Sequence, residues 1–124
     1  QEFLDTADVS GELTGFFKGN KIYKIYRSEG LTDGVEITEF YYRRNELIFV
    51  REKFNSYVYD NILKTFDYTK INSTFSGYYY FKDDKLIEYK TTGIKRFDDQ
   101  TLSTEKSLLN KSNEAFGYIK KLLN

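Results

Sequence analysis

Aromatic and β-branched residues alternate with polar ones over most of this chain, and three stretches repeat one scheme. Residues 16–26 read FFKGNKIYKIY, residues 41–51 YYRRNELIFVR and residues 80–90 YFKDDKLIEYK. Each has two aromatics, a basic residue, a free position, Asn or Asp, a charged residue, and then apolar residues beginning with Ile or Leu. Such a unit predicts a β-hairpin, because apolar residues of strand type flank a short polar pair suited to a tight turn. The expected turn pairs are Gly19-Asn20, Arg44-Asn45 and Asp83-Asp84. Gly, Asn and Asp tolerate the positive φ that two-residue turns require; Arg44 fits less well and predicts a longer second turn.

Strict alternation in the returning strands puts Tyr23 with Ile25, Ile48 with Val50 and Ile87 with Tyr89 on the core side. Ile22, Lys24 and Tyr26, then Leu47, Phe49 and Arg51, then Leu86, Glu88 and Lys90 fall on the other side. The repeats are unevenly spaced, which argues against a solenoid. NSYVYDN reads as the end of a long strand and FDYTKINSTF as the lead into the next. With no Pro in the chain, every strand can donate its full set of amides.

The period changes near the C-terminus. Leu108, Leu109, Ser112, Ala115, Phe116, Ile119, Leu122 and Leu123 form a stripe at helical spacing, predicting an amphipathic helix over 104–123 with Ser103 as N-cap. The fold class is therefore α+β: an antiparallel meander of about six to eight strands over residues 12–97, with one C-terminal amphipathic helix packed on it. Length fits a single domain over 1–124, with residues 1–10 as a flexible or short helical lead.

Composition narrows the chemistry. The chain has no His and no Cys, which excludes Ser-His-Asp and Cys-His nucleophilic sites and the usual imidazole–thiolate zinc sites. Paired carboxylates, the minimum for glycoside hydrolysis, exist as Asp83 with Asp84, Asp98 with Asp99, and Glu36 with Glu39. A turn and a loop explain the first two, and the odd spacing of the third sends its members to opposite sheet faces. No glycine-rich phosphate loop or calcium-loop spacing occurs, so no cofactor and no metal is expected. Lys plus Arg balances Asp plus Glu at 19 each, which disfavours nucleic acid as a partner. No run approaches the roughly 20 apolar residues of a transmembrane helix. The first 17 residues carry Glu2, Asp5, Asp8 and Glu12 without a Lys or Arg, either as a solvated segment or as a docking one.

Aromatic residues make up 19% of the chain, and their runs place rings on both faces of their strands. One set must lie off the core, either beneath the helix and loops or exposed as a binding surface. The candidate surface consists of Tyr26, Tyr42, Phe49, Tyr78 and Tyr80. At Tyr41 to Val50 and Tyr80 to Tyr89 the chain resembles small exported or lipoprotein-type bacterial proteins that carry YYF-x-NGKL-x hairpins. It also loosely resembles MORN-type tandem hairpin proteins, some of which act as interaction scaffolds or as immunity partners of toxins. The resemblance covers residues 12–97, without the regular glycines and constant period of MORN repeats, and carries no site residue over. Those exported proteins have no assigned activity; together with the aromatic runs and the absence of His and Cys, the expectation is an extracytoplasmic, non-catalytic module presenting aromatic side chains to a protein or peptide. The alternatives are a carbohydrate-binding or carboxylate-dependent glycan-hydrolysing domain, and a purely structural domain with every ring buried.

Overall fold

The computed structural model describes residues 2–7, 11–94 and 103–123, the first of these as backbone alone. Strands β1 (Glu2–Ala7), β2 (Gly11–Lys18), β3 (Lys21–Leu31), β4 (Gly34–Arg43), β5 (Glu46–Asp60), β6 (Thr65–Lys82) and β7 (Lys85–Gly93) precede helix α1 (Thr104–Leu123). The strands form one antiparallel sheet in simple sequence order, an α+β meander as the hairpin repeats predict. One expectation is corrected at the start: Glu2–Ala7 is a strand paired along β2, from Glu2↔Phe17 to Ala7↔Glu12, rather than a helical or flexible lead. Six residues are too few to nucleate a helix alone, and here they pair along β2 instead.

All three repeats close with two-residue turns. Arg44 and Asn45 take φ of 52° and 65°, and Asp83 and Asp84 take 50° and 61°, so both residues of each turn are left-handed. In the first turn Gly19 has φ 63° and Asn20 does not cross to positive φ. The expected lengthening at Arg44 does not occur. Its left-handed backbone costs about 1–2 kcal/mol, and the ladder Arg43↔Glu46, Tyr42↔Leu47 continues to the turn regardless. A further bond braces the third turn, where the Asp83 amide donates to Glu46 Oε1 at 2.7 Å.

Each hairpin also carries a β-bulge at the same place. Phe17 pairs with Ile22 but Phe16 with Lys24; Tyr42 with Leu47 but Tyr41 with Phe49; Phe81 with Leu86 but Tyr80 with Glu88. Tyr23, Ile48 and Ile87 are the skipped residues. An extra residue re-phases the returning strand, so Ile22 and Ile25, and likewise Leu47 and Val50, face the same side three positions apart. The core reading of Tyr23, Ile48 and Ile87 is thereby corrected: Tyr23 is half-buried, and Ile48 and Ile87 are exposed. Tyr89 shares the side of buried Tyr79, with ring centroids 6.2 Å apart, but sits on the outermost strand and is exposed.

The helix lies on the face that holds Phe17, Ile22, Ile25, Phe40, Tyr42, Leu47 and Val50. Leu108, Ser112, Ala115 and Ile119 point into it, with Leu109, Phe116 and Leu123 packed alongside, while Leu122 of the predicted stripe is exposed. Ser103 caps the helix, its Oγ accepting from the Lys106 amide at 3.2 Å. Glu105, near the positive end, accepts from the Leu86 amide at 2.9 Å and ties the first turn to β7. Close approach at the far end requires Gly15, where a Cβ would meet Ile119 Cγ2 at 2.6 Å. Between these points the Tyr42 hydroxyl meets Ser112 Oγ at 2.7 Å, a buried polar bond between sheet and helix.

Candidate functional site

With the helix on one face, the other face of the sheet displays two rows of cross-strand neighbours. One runs Thr14, Tyr26, Glu39, Arg51, Tyr78, Lys90; the other runs Phe16, Lys24, Tyr41, Phe49, Tyr80, Glu88. Rings concentrate around Phe49. Its centroid lies 4.9 Å from Tyr80, 5.6 Å from Tyr41 and 6.2 Å from Tyr78, the last pair inclined by only 21°. Tyr78 and Tyr80 are exposed, and Tyr41 and Phe49 half-buried.

Beside the rings a carboxylate binds two cations across three strands. Glu39, 8% exposed, takes Lys24 Nζ at 2.9 Å on Oε2 and Arg51 Nη1 at 2.8 Å on Oε1. The Tyr41 hydroxyl donates to the same Oε2 at 3.3 Å. Burial alone would raise the Glu39 pKa, but the bonds from Lys24 and Arg51 outweigh it and hold the carboxyl below its ordinary value of 4.5. For Arg51 the bond to Glu39 is the leading cause of a raised pKa, with Tyr78 contributing. Lys24 loses some hydration, yet Glu39 more than compensates and keeps its ammonium charged above the ordinary range. That ammonium also stands 5.2 Å from the Phe16 ring centroid and 5.3 Å from that of Tyr41. Tyr41 is thus tied to the charged lattice by its hydroxyl, and Phe49 packs against Tyr41.

Of the residues read from sequence as a surface, Tyr26, Phe49, Tyr78 and Tyr80 share this face. Tyr42 does not. It is 6% exposed, pairs with Leu47 beneath the helix, and burial pushes its phenol far above the usual value despite the bond to Ser112. Sequence reasoning missed Phe16, Lys24, Tyr41 and Arg51, and weighed Glu39 only as a carboxylate paired with Glu36. A signal existed for two of them: Phe16, Tyr41 and Tyr80 hold the first position of the repeated doublet and face outward, while Phe17, Tyr42 and Phe81 hold the second and face the core.

The described carboxylate pairs form no enclosed site. Glu36 and Glu39 lie on opposite faces, Asp83 and Asp84 are exposed turn residues, and Asp98 with Asp99 lies outside the described residues. Among the described residues no three acidic side chains gather as metal ligands, and no helix is long and apolar enough to cross a membrane. No family model matches the chain, and neither a curated protein nor a solved structure is found to be similar to it.

Proposed function

We propose that this protein is a non-catalytic binding module whose helix-free sheet face receives a protein or peptide partner. The observation that carries this reading is the Phe49 cluster itself, with Tyr78 and Tyr80 facing solvent on a lattice anchored by Glu39. The folded core lies under the helix and does not need these rings. Tyr and Arg are the residue types that dominate binding energy at protein interfaces, and rings already held in place lose little entropy on docking. An acid catalyst is a poor description of Glu39, since a carboxyl held ionised by two cations has no proton to donate near neutrality. The extracytoplasmic setting is the companion proposal and rests on the resemblance of the hairpins.

A glycan is the second reading, favoured by one feature: Phe49 and Tyr78 are near parallel, a geometry on which a sugar ring can stack. The test is capture from host extract by the domain and by a Phe49→Ser, Tyr80→Ser double variant, with Tyr118→Ser on the exposed helix surface as reference. Partner capture is expected to vanish in the double variant and persist in the reference. Equal capture by all three proteins rejects the assignment, and tyrosine quenching by soluble glycans without a protein partner selects the second reading.

A further inference from the structure

The hairpin of β5 and β6 outruns the rest of the sheet. β4 begins at Gly34, opposite Ser56, and β7 ends at Gly93, opposite Phe75. The Tyr57 amide donates to the Asp33 carbonyl in the β3–β4 turn at 2.8 Å, and beyond it the hairpin pairs with itself through Val58↔Asp67, Tyr59↔Phe66 and Asp60↔Thr65. Three residues at about 3.3 Å each carry the tip roughly 10 Å beyond that contact.

What stands at that tip is apolar. Ile62 is 91% exposed and Leu63 72%, on a turn whose shape is fixed by Asp60 Oδ1, which accepts from the Ile62 amide at 2.8 Å and the Leu63 amide at 3.1 Å. Lys64, with φ 53°, completes the turn. Behind it lie two edge-on ring pairs, Tyr59 with Phe66 at 5.2 Å and Tyr57 with Tyr68 at 4.8 Å, with Tyr59 and Tyr68 exposed. Nothing in turn formation calls for Ile and Leu here, since the bonds that shape it come from Asp60 and the backbone.

We infer that this arm is an interfacial anchor for a bilayer bearing anionic headgroups. The order of chemistry along it is the order met on entering a membrane from the water side, reversed: Ile62 and Leu63 at the apex, Tyr59 and Tyr68 next, lysine around them. Acidic charge near the tip is already engaged. Asp60 binds turn amides, and Asp67 accepts from the Thr69 amide at 2.9 Å and faces Lys70 Nζ at 3.9 Å. Lys64 has no ion pair among the described residues and is free to meet a lipid phosphate. A convex point of two side chains offers little to a protein pocket beyond those two contacts, whereas a bilayer needs no matching shape. Two inserted residues make a weak, reversible anchor, one that supplements a contact made elsewhere on the domain.

The chain contains no Trp, so a Leu63→Trp variant is a single reporter. With vesicles of phosphatidylcholine and phosphatidylglycerol its emission is expected to shift to the blue and to be quenched by brominated acyl chains, while a Tyr118→Trp reporter on the helix stays unchanged. In the otherwise native chain, Ile62→Ser with Leu63→Ser should lower the vesicle-bound fraction by about tenfold or more, without altering the far-UV spectrum. An unshifted Leu63→Trp emission on these vesicles overturns the inference. Equal vesicle binding by the double-serine variant does so too, as does a shift produced by a protein partner alone.

Discussion

The bond between the Tyr42 hydroxyl and Ser112 joins helix to sheet at their centre, and removing it tests how the two layers dock. Both groups are buried, Ser112 at 1% exposure, and the oxygen atoms are 2.7 Å apart. A buried hydroxyl left without a partner costs about 1–3 kcal/mol, but each group here has a fallback. The Tyr42 hydroxyl can still donate to the Ser112 carbonyl, now 3.4 Å away, and the Ser112 hydroxyl can turn to a carbonyl one helical turn back. Tyr42→Phe and Ser112→Ala should therefore each cost about 1 kcal/mol, the low end of the range. Because the Phe ring keeps the contact with Phe116, whose centroid lies 5.0 Å away, the loss reports the hydroxyl rather than packing. Replacing both should cost less than the two singles together, with a coupling of about 1 kcal/mol. Urea unfolding of the four proteins measures this, and each single should lower the thermal midpoint by about 4 °C. Singles within about 0.3 kcal/mol of the parent, with no coupling, would refute the docking geometry.

Two further outcomes follow from the same packing. Gly15→Ala should destabilise by about 1–3 kcal/mol, because its Cβ meets Ile119 Cγ2 at 2.6 Å. Gly117→Ala should stabilise by about 0.5–1 kcal/mol, because the site is exposed, helical and open, and calorimetry of the pair reads both signs. At alkaline pH, burial holds the phenols of Tyr42 and Tyr79 above the ordinary value of 10.0, with the Glu52 charge adding to the effect on Tyr79. Their contribution is full below pH 10 and is lost as the pH rises toward the folded values, at up to about 1.4 kcal/mol per pH unit for each group. Denaturant midpoints measured through that range should fall less steeply for Tyr42→Phe, and parallel curves would contradict its buried neutral state.

Where the sequence was legible, local chemistry decided the outcome. Asp83-Asp84 and Gly19-Asn20 have turn residues in turn positions, and the 3.6-residue stripe from Leu108 to Ile119 has no competing period. Misreadings cluster at the bulges. Alternation counted from Tyr23, Ile48 and Ile87 gives the wrong phase for Ile22 and Leu47, since a skipped residue leaves no mark in composition. Tyr42 was lost from the candidate surface for a related reason: in an aromatic doublet either ring can face the core, and only the pairing with Leu47 decides. Glu39 was read only as a carboxylate paired with Glu36, because its partners Lys24 and Arg51 come from neighbouring strands, set by register rather than by any motif. Asp60 and Asn61 mark the turn at Ile62 and Leu63, but its exposure follows from β4 and β7 ending short of it, which no local residue announces.

Repetition of one bulge in three hairpins also accounts for the two-faced character of the sheet. Each doublet sends one ring to either side, so the three doublets supply aromatics to both faces. Six gaps of about 4.8 Å make seven strands roughly 29 Å wide, while a helix of 20 residues is about 30 Å long and only about 10 Å across. One such helix can seal a strip of a single face. It takes the side of Phe17, Tyr42 and Phe81, where the bulge has brought Ile22 and Leu47 into phase with Ile25 and Val50. On the other side Tyr41 and Tyr80 pack on Phe49, and Lys24 of the Lys24–Glu39–Arg51 lattice stands beside Phe16 and Tyr41. Burying a charged lattice under a second layer would carry a desolvation cost that a buried ion pair seldom recovers, whereas at an interface it can steer a partner and fix its register. The same bulge that completes the core thus leaves the opposite aromatic face without the helix over it.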